Sequence, residues 1–157
     1  RERGYEIIEI KYGELPSGVK GDPDKMIEAF RKALQYATEQ LTAVEFNTYN
    51  EVLFISKSVG TAVAAAYAKQ YNINARQIYY TLVAESFDAI GQEGIVFHGT
   101  ADPWAETDKI QAECEKRGLS LYLTKNANHS METGNVEKDL EIMKDIMEKT
   151  AAYMDYL

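Results

Sequence analysis

At 157 residues the chain has single-domain length and enough material to bury a substantial core. Its 45% apolar and 27% charged residues are those of an ordinary globular protein, and 25 acidic against 17 basic side chains give a formal charge of −8, which argues against nucleic acid or an anionic membrane as partner. A single cysteine, Cys114, excludes an internal disulfide framework and suits a reducing, cytoplasmic setting; no stretch approaches the roughly 18 apolar residues of a membrane span, and no signal peptide is visible.

The first residues, Arg1-Glu2-Arg3-Gly4, read as the end of a helix with glycine just past it. Tyr5 to Tyr12 is rich in β-branched and aromatic residues and predicts a strand. Gly13 to Gly21 is a loop, and Asp22-Pro23 is a helix start, with an N-cap carboxylate before a first-turn proline. Met26, Ile27, Phe30, Leu34, Ala37 and Leu41 then recur at three- and four-residue steps, an amphipathic helix of about five turns. Val52 to Ile55 is a continuous apolar run, as in a parallel strand buried on both faces. Gly60 to Gln70 is an alanine-rich helix, Gln77 to Ala84 and Gly94 to His98 are further strands, and Pro103 opens a helix with Ile110 and Cys114 on one face, closed by Gly118. Leu119, Leu121 and Leu123 alternate with polar residues in a last strand. Val136, Leu140, Met143 and Met147 mark the apolar face of a C-terminal helix, widened by Ile142, Ile146 and Met154. Strands alternating with helices predict an α/β domain, three-layer α/β/α around a mostly parallel sheet, whose ligands bind at the carboxyl ends of the strands.

Three candidates stand at three such ends. Ser58 lies on a turn of small residues, Ser56-Lys57-Ser58-Val59-Gly60, between an apolar strand and a helix; such a turn lifts a hydroxyl above the sheet and offers it the first backbone N–H groups of the helix. Asp102 follows the strand ending at His98, and His129 follows the one ending near Leu123. A serine hydroxyl needs an imidazole to take its proton, and the imidazole needs a carboxylate to fix its tautomer. Each residue has a plainer reading taken singly: Ser58 as a turn residue, Asp102 as a helix N-cap, His129 as an exposed loop histidine. Their order and shared edge weigh against three coincidences. His98, at the end of a buried strand, reads as a hydrogen-bonded core residue, and Lys57 as an exposed one. Two histidines and one cysteine without ligand spacing predict no metal site, and there is no phosphate loop.

The small-x-Ser-x-Gly turn, His98-Gly99-Thr100-Ala101-Asp102-Pro103 and Asn128-His129-Ser130 together resemble the nucleophile, acid and histidine segments of the α/β-hydrolase family, over essentially the whole chain and most closely its small, lidless bacterial members. The resemblance implies a serine hydrolase without cofactor that acts on a small-molecule ester or thioester, with the Val59 N–H in the oxyanion hole. Ser56 stands where the motif has glycine. The family also places a strand between those equivalent to Tyr5–Tyr12 and Val52–Ile55, with an oxyanion donor after it; this implies an N-terminally incomplete domain, short of an upstream segment on the order of 20–30 residues and of reduced activity without it. Glu85 to Glu93 is too short for a helical lid, which predicts an open, shallow site, with Glu85, Ser86, Phe87 and Trp104 as candidate lining residues. A non-catalytic binding domain on the same scaffold, and a transferase or lyase, are the alternatives. The oligomeric state is open; the tyrosines of Tyr153 to Leu157 suit packing on the body or on a second subunit.

Overall fold

The computed structural model describes residues 3–156. Arg1 and Glu2 of the expected helix end, and Leu157, lie outside the described residues. The elements run α1 (Pro23–Leu41), β1 (Leu53–Lys57), α2 (Val59–Gln70), β2 (Arg76–Tyr80), β3 (Ile95–Gly99), α3 (Thr107–Arg117), β4 (Ser120–Thr124) and α4 (Val136–Asp155), with a 3-10 turn at Ala84–Asp88. The four strands form one parallel sheet in the order β1-β2-β3-β4.

Because side chains alternate across a strand, β2, β3 and β4 each feed two cores. Tyr79, Val96 and Leu121 pack with Ala65 of α2 and with Ile110 and Cys114 of α3. Burial pushes the Cys114 thiol up to about 11. Leu53, Ile78, Tyr80, Ile95, Phe97 and Tyr122 pack under Ile142, Ile146 and Tyr153 of α4 on the opposite face. There Tyr80, Phe97 and Tyr122, paired across neighbouring strands, stack with centroids 5.1 and 5.2 Å apart, and the Tyr80 hydroxyl meets Thr150 Oγ1 of α4 at 2.7 Å. The result is a three-layer α/β/α arrangement, with α1 laid on α2 through Ala33, Ala37 and Val63. Asp22 caps α1 by accepting from the Lys25 N–H, and Gly118, at φ 69°, ends α3 in the left-handed conformation that glycine adopts without penalty.

Several expectations are corrected. Tyr5–Tyr12 forms no ladder. It is held by side chains instead: Gln40 bonds both backbone groups of Lys11 at 2.9 Å, Tyr5 donates to Glu51, and Tyr49 donates to Glu6. β1 is therefore an edge strand among the described residues, and Ile55, expected inside, is 56% exposed. β2 stops at Tyr80 because Thr81 turns to a positive φ of 47°. The helix expected from Pro103 starts at Thr107, since the Asp102 side chain closes a turn on the Trp104 N–H rather than capping a helix. On α4 the face expected to be buried is exposed: Val136, Leu140, Met143 and Met147 are 57–74% accessible, and the adjacent stripe through Ile142 and Ile146 faces the sheet.

Candidate active site

The carboxyl ends of β1, β3 and β4 converge on one constellation. Directly after β1, Ser58 adopts φ 54° and ψ −130°, a backbone conformation that costs a non-glycine residue on the order of 1–3 kcal/mol and is kept only where the surroundings impose it. Here they do. The Ser58 N–H donates to the Tyr80 carbonyl at 3.1 Å, and the Ser58 carbonyl accepts from the Thr61 N–H and Oγ1 at 2.9 and 2.6 Å. Thr61 Oγ1 in turn shares a hydrogen bond of 2.7 Å with Ser86 Oγ, both residues wholly buried. A Cβ at Gly60 would lie 4.0 Å from the Ser56 Cβ, an ordinary contact, so serine fits two places before Ser58.

After β3, the chain turns through Gly99 to Asp102, whose carboxylate is fully buried and accepts from the Trp104 N–H at 2.9 Å on one oxygen. After β4, the Ala127 carbonyl accepts from the Ala101 N–H at 2.9 Å, which straps the two loops together. The Asn128 side chain accepts from the Ser130 and Glu132 N–H groups at 2.8 and 3.1 Å, and Met131, at φ 65°, anchors its side chain in the core. This tight turn leaves His129 at its tip. His129 Nδ1 lies 2.8 Å from Asp102 Oδ2, and Nε2 lies 2.8 Å from Ser58 Oγ. An ionised carboxylate only accepts, so Nδ1 donates and the Nε2 lone pair is left for the serine hydroxyl proton. The Trp104 ring lies against the imidazole, centroids 5.5 Å apart, with Lys20 Nζ 5.9 Å from the indole at the mouth.

Ser58, Asp102 and His129 are thus brought together. Val59 is the first helical residue, and its N–H has no intrahelical carbonyl to bond, so it remains available beside Ser58. Trp104 borders the site, and Glu85 is exposed on the 3-10 turn. Phe87, expected to line the pocket, packs in the core instead: it is 8% exposed, belongs to the core under α2 and α3, and carries the Arg117 guanidinium 5.0 Å over its ring. Ser86 is likewise buried, in the brace beneath the turn. That brace was not read from the sequence; its one signal is a hydroxyl residue, Thr61, in an otherwise aliphatic helix start. His98 is a buried core histidine bonded to Thr107 Oγ1 at 3.1 Å, and burial holds its imidazole below the usual histidine range. Among the described residues no three His, Cys, Asp or Glu side chains converge as metal ligands, and no helix is long and apolar enough to cross a membrane.

No protein-family model and no curated protein sequence matches the chain. Solved structures do. A candidate hydrolase of the α/β superfamily from Xanthomonas campestris pv. campestris superimposes with a TM-score of 0.56 at 15% identity, over 78% of this chain and 70% of that one. A protein of unknown function from Agrobacterium tumefaciens, described as a candidate α/β hydrolase, gives 0.55 at 14% identity, over 89% of this chain and 64% of that one. The likeness is one of fold, and the chain spans about two thirds of the length of these neighbours.

Proposed function

We propose that this chain, an α/β-hydrolase by fold, belongs to a serine hydrolase that cleaves a small ester or thioester through an acyl-enzyme. The observation that carries the reading is the unbroken hydrogen-bond chain from Ser58 Oγ through His129 to the buried Asp102 carboxylate. Ser58 Oγ attacks the acyl carbonyl carbon while its proton passes to His129 Nε2, and Asp102 stays ionised to stabilise the imidazolium. The Val59 N–H bonds the tetrahedral oxyanion. Collapse breaks the bond to the alcohol or thiol, which leaves with the proton from His129. Water then attacks the acyl-serine, His129 takes its proton, and the acid departs as Ser58 is reprotonated.

A second oxyanion donor is expected at the free edge of β1. A groove of about 950 Å³ runs along that edge, between β1 and the extended N-terminal segment, lined by Ile8, Ile10, Tyr12, Leu53, Ile55 and Val63 and reaching Gly60 beside the nucleophile turn. We infer that a further strand of the polypeptide fills it and that the loop after this strand supplies the donor; a donor of this kind lowers the barrier by about 3–4 kcal/mol in the best-measured case. The segment between Ala84 and Ile95 carries only the short 3-10 turn, which leaves the mouth open and suits small or exposed acyl groups.

The test is labelling of the protein by a fluorophosphonate probe, with Ser58→Ala as control, followed by a panel of short to long acyl esters and thioesters. Labelling abolished in Ser58→Ala is the expected result. An intact, folded wild type that takes no label assigns the scaffold to ligand binding instead.

A further inference from the structure

The Asp102 carboxylate is fully buried, yet among the described residues it accepts only two hydrogen bonds, from the Trp104 N–H and from His129 Nδ1. A carboxylate offers about four lone-pair sites, and an ionised one removed from water needs more than two donors to offset its lost hydration. A third polar atom does face it. His98 Nδ1 is 4.0 Å from Asp102 Oδ2, is itself fully buried and has no hydrogen-bond partner among the described residues. The other ring nitrogen, Nε2, lies 3.1 Å from Thr107 Oγ1, the first residue of α3.

These contacts choose a protonation state. Were the proton on Nε2, the Nδ1 lone pair would point at a carboxylate oxygen inside a low-dielectric interior, like charge against like. With the Thr107 hydroxyl donating to Nε2, Nδ1 carries the proton and turns the positive end of its dipole toward Oδ2. Double protonation is opposed by burial and by the charge that His129 acquires; Asp102 and His129 are the titratable groups that act on the ring. At 4.0 Å the contact is a charge–dipole attraction rather than a formed hydrogen bond.

We propose that His98 is a positioning residue for Asp102: its Nδ1–H, set by Thr107, faces the carboxylate from within the core and keeps it ionised and directed at His129. The proposal builds on the Ser58–His129–Asp102 reading, but its decisive readout needs no catalysis. The chain has only two histidines, so a long-range 1H–15N spectrum of imidazole-labelled protein resolves two rings, and His98→Asn removes one. The expected spectrum has His98 neutral, with a protonated-type shift at Nδ1 and an unprotonated-type shift at Nε2, through the range in which His129 titrates. A His98 ring protonated at Nε2 overturns the proposal in the wild type alone.

Variants add the coupling. His98→Leu takes the dipole away from Asp102, makes the potential at His129 more negative and moves the His129 titration to higher pH. His98→Asn, whose side-chain amide can donate from the place of Nδ1, restores the wild-type value. In turnover of an ester substrate, His98→Leu lowers kcat by about tenfold with KM little changed and moves the acid limb of kcat/KM to higher pH, and Asn rescues both. Thr107→Val, which frees the tautomer without touching His98, shifts the ring toward the Nε2-protonated form. A folded His98→Leu protein with His129 titrating as in wild type, or Asn and Leu variants that shift it alike, assigns His98 to packing alone. If neither wild type nor variants turn over ester while the ring behaves as stated, the esterase reading fails and the positioning role stands.

Discussion

Gly99 gives the sharpest handle on how the fold positions the histidine. It is the buried last residue of β3, and a Cβ built on it falls 2.7 Å from the Ala127 carbonyl carbon and 2.8 Å from the Asn128 carbonyl oxygen, with the Ala127 oxygen closer still. All three are backbone atoms, so no side-chain rotation relieves the clash. In Gly99→Ala the loop has to retreat by about 1 Å to reach ordinary contact, and the Ala101-to-Ala127 hydrogen bond that straps it to the acid loop stretches with it. The forced misfit costs about 1–3 kcal/mol of stability, which lowers Tm by several degrees for a chain of this size. The same movement begins two residues from His129, whose two hydrogen bonds are both 2.8 Å long, and a misplacement of about 1 Å in such a group slows reaction on the order of 100-fold. The assay pairs a thermal melt with the second-order rate of fluorophosphonate labelling at a temperature well below both melts. A Gly99→Ala protein that labels at the wild-type rate, or melts at the wild-type temperature, refutes the argument that this close approach sets the loop.

Three further outcomes are expected. Ser58→Gly and Ser58→Ala lose the same hydroxyl, but only glycine relieves the positive φ, so the glycine variant is the more stable of the two by about 1 kcal/mol once its greater unfolded-chain entropy is deducted; equal urea midpoints would count against strain at the turn. On α4, Ile146→Ala costs about 2–4 kcal/mol and Leu140→Ala or Met147→Ala less than about 0.5 kcal/mol, as chemical denaturation will show; the reverse order would return the helix to the face read from its sequence. Glu51 accepts from the Tyr5 hydroxyl at 2.7 Å and from Arg76 at 2.5 Å, which hold its carboxyl below the ordinary 4.5. Its folded value being the lower, the stability it contributes is complete above the unfolded value and is lost as pH falls through the folded one. Denaturation midpoints of wild type and Glu51→Gln should therefore diverge at pH 7 and draw together in acid, and a gap that stays constant with pH would remove Glu51 as the cause.

What could be read from the sequence was local. An apolar run followed by small residues is enough to place Ser58 between a strand and a helix, and the order of Asp102 and His129 after two later strands is enough to bring them to one edge. What could not be read depends on partners. Tyr5–Tyr12 has strand composition, but a strand exists through its ladder, and the Gln40 side chain takes the place of one at Lys11. On α4 two apolar stripes lie side by side, Val136-Leu140-Met143-Met147 and Ile142-Ile146, and helical periodicity detects both without saying which meets the sheet. Phe87 follows a strand end as pocket residues do, yet the 3-10 turn rotates it into the core. The Thr61–Ser86 brace joins residues 25 apart through hydroxyls, and no local pattern announces such a pair.

Trp104 is the sole tryptophan of the chain, and it lies against the imidazole of His129. Intrinsic indole emission from this protein therefore comes from one place, the mouth of the candidate site, and an adjacent imidazolium quenches indole more strongly than a neutral imidazole does. The molecule thus carries its own optical probe. Excited at the red edge, where its eleven tyrosines do not absorb, it should report the protonation of His129 and the arrival of an acyl group without any attached dye.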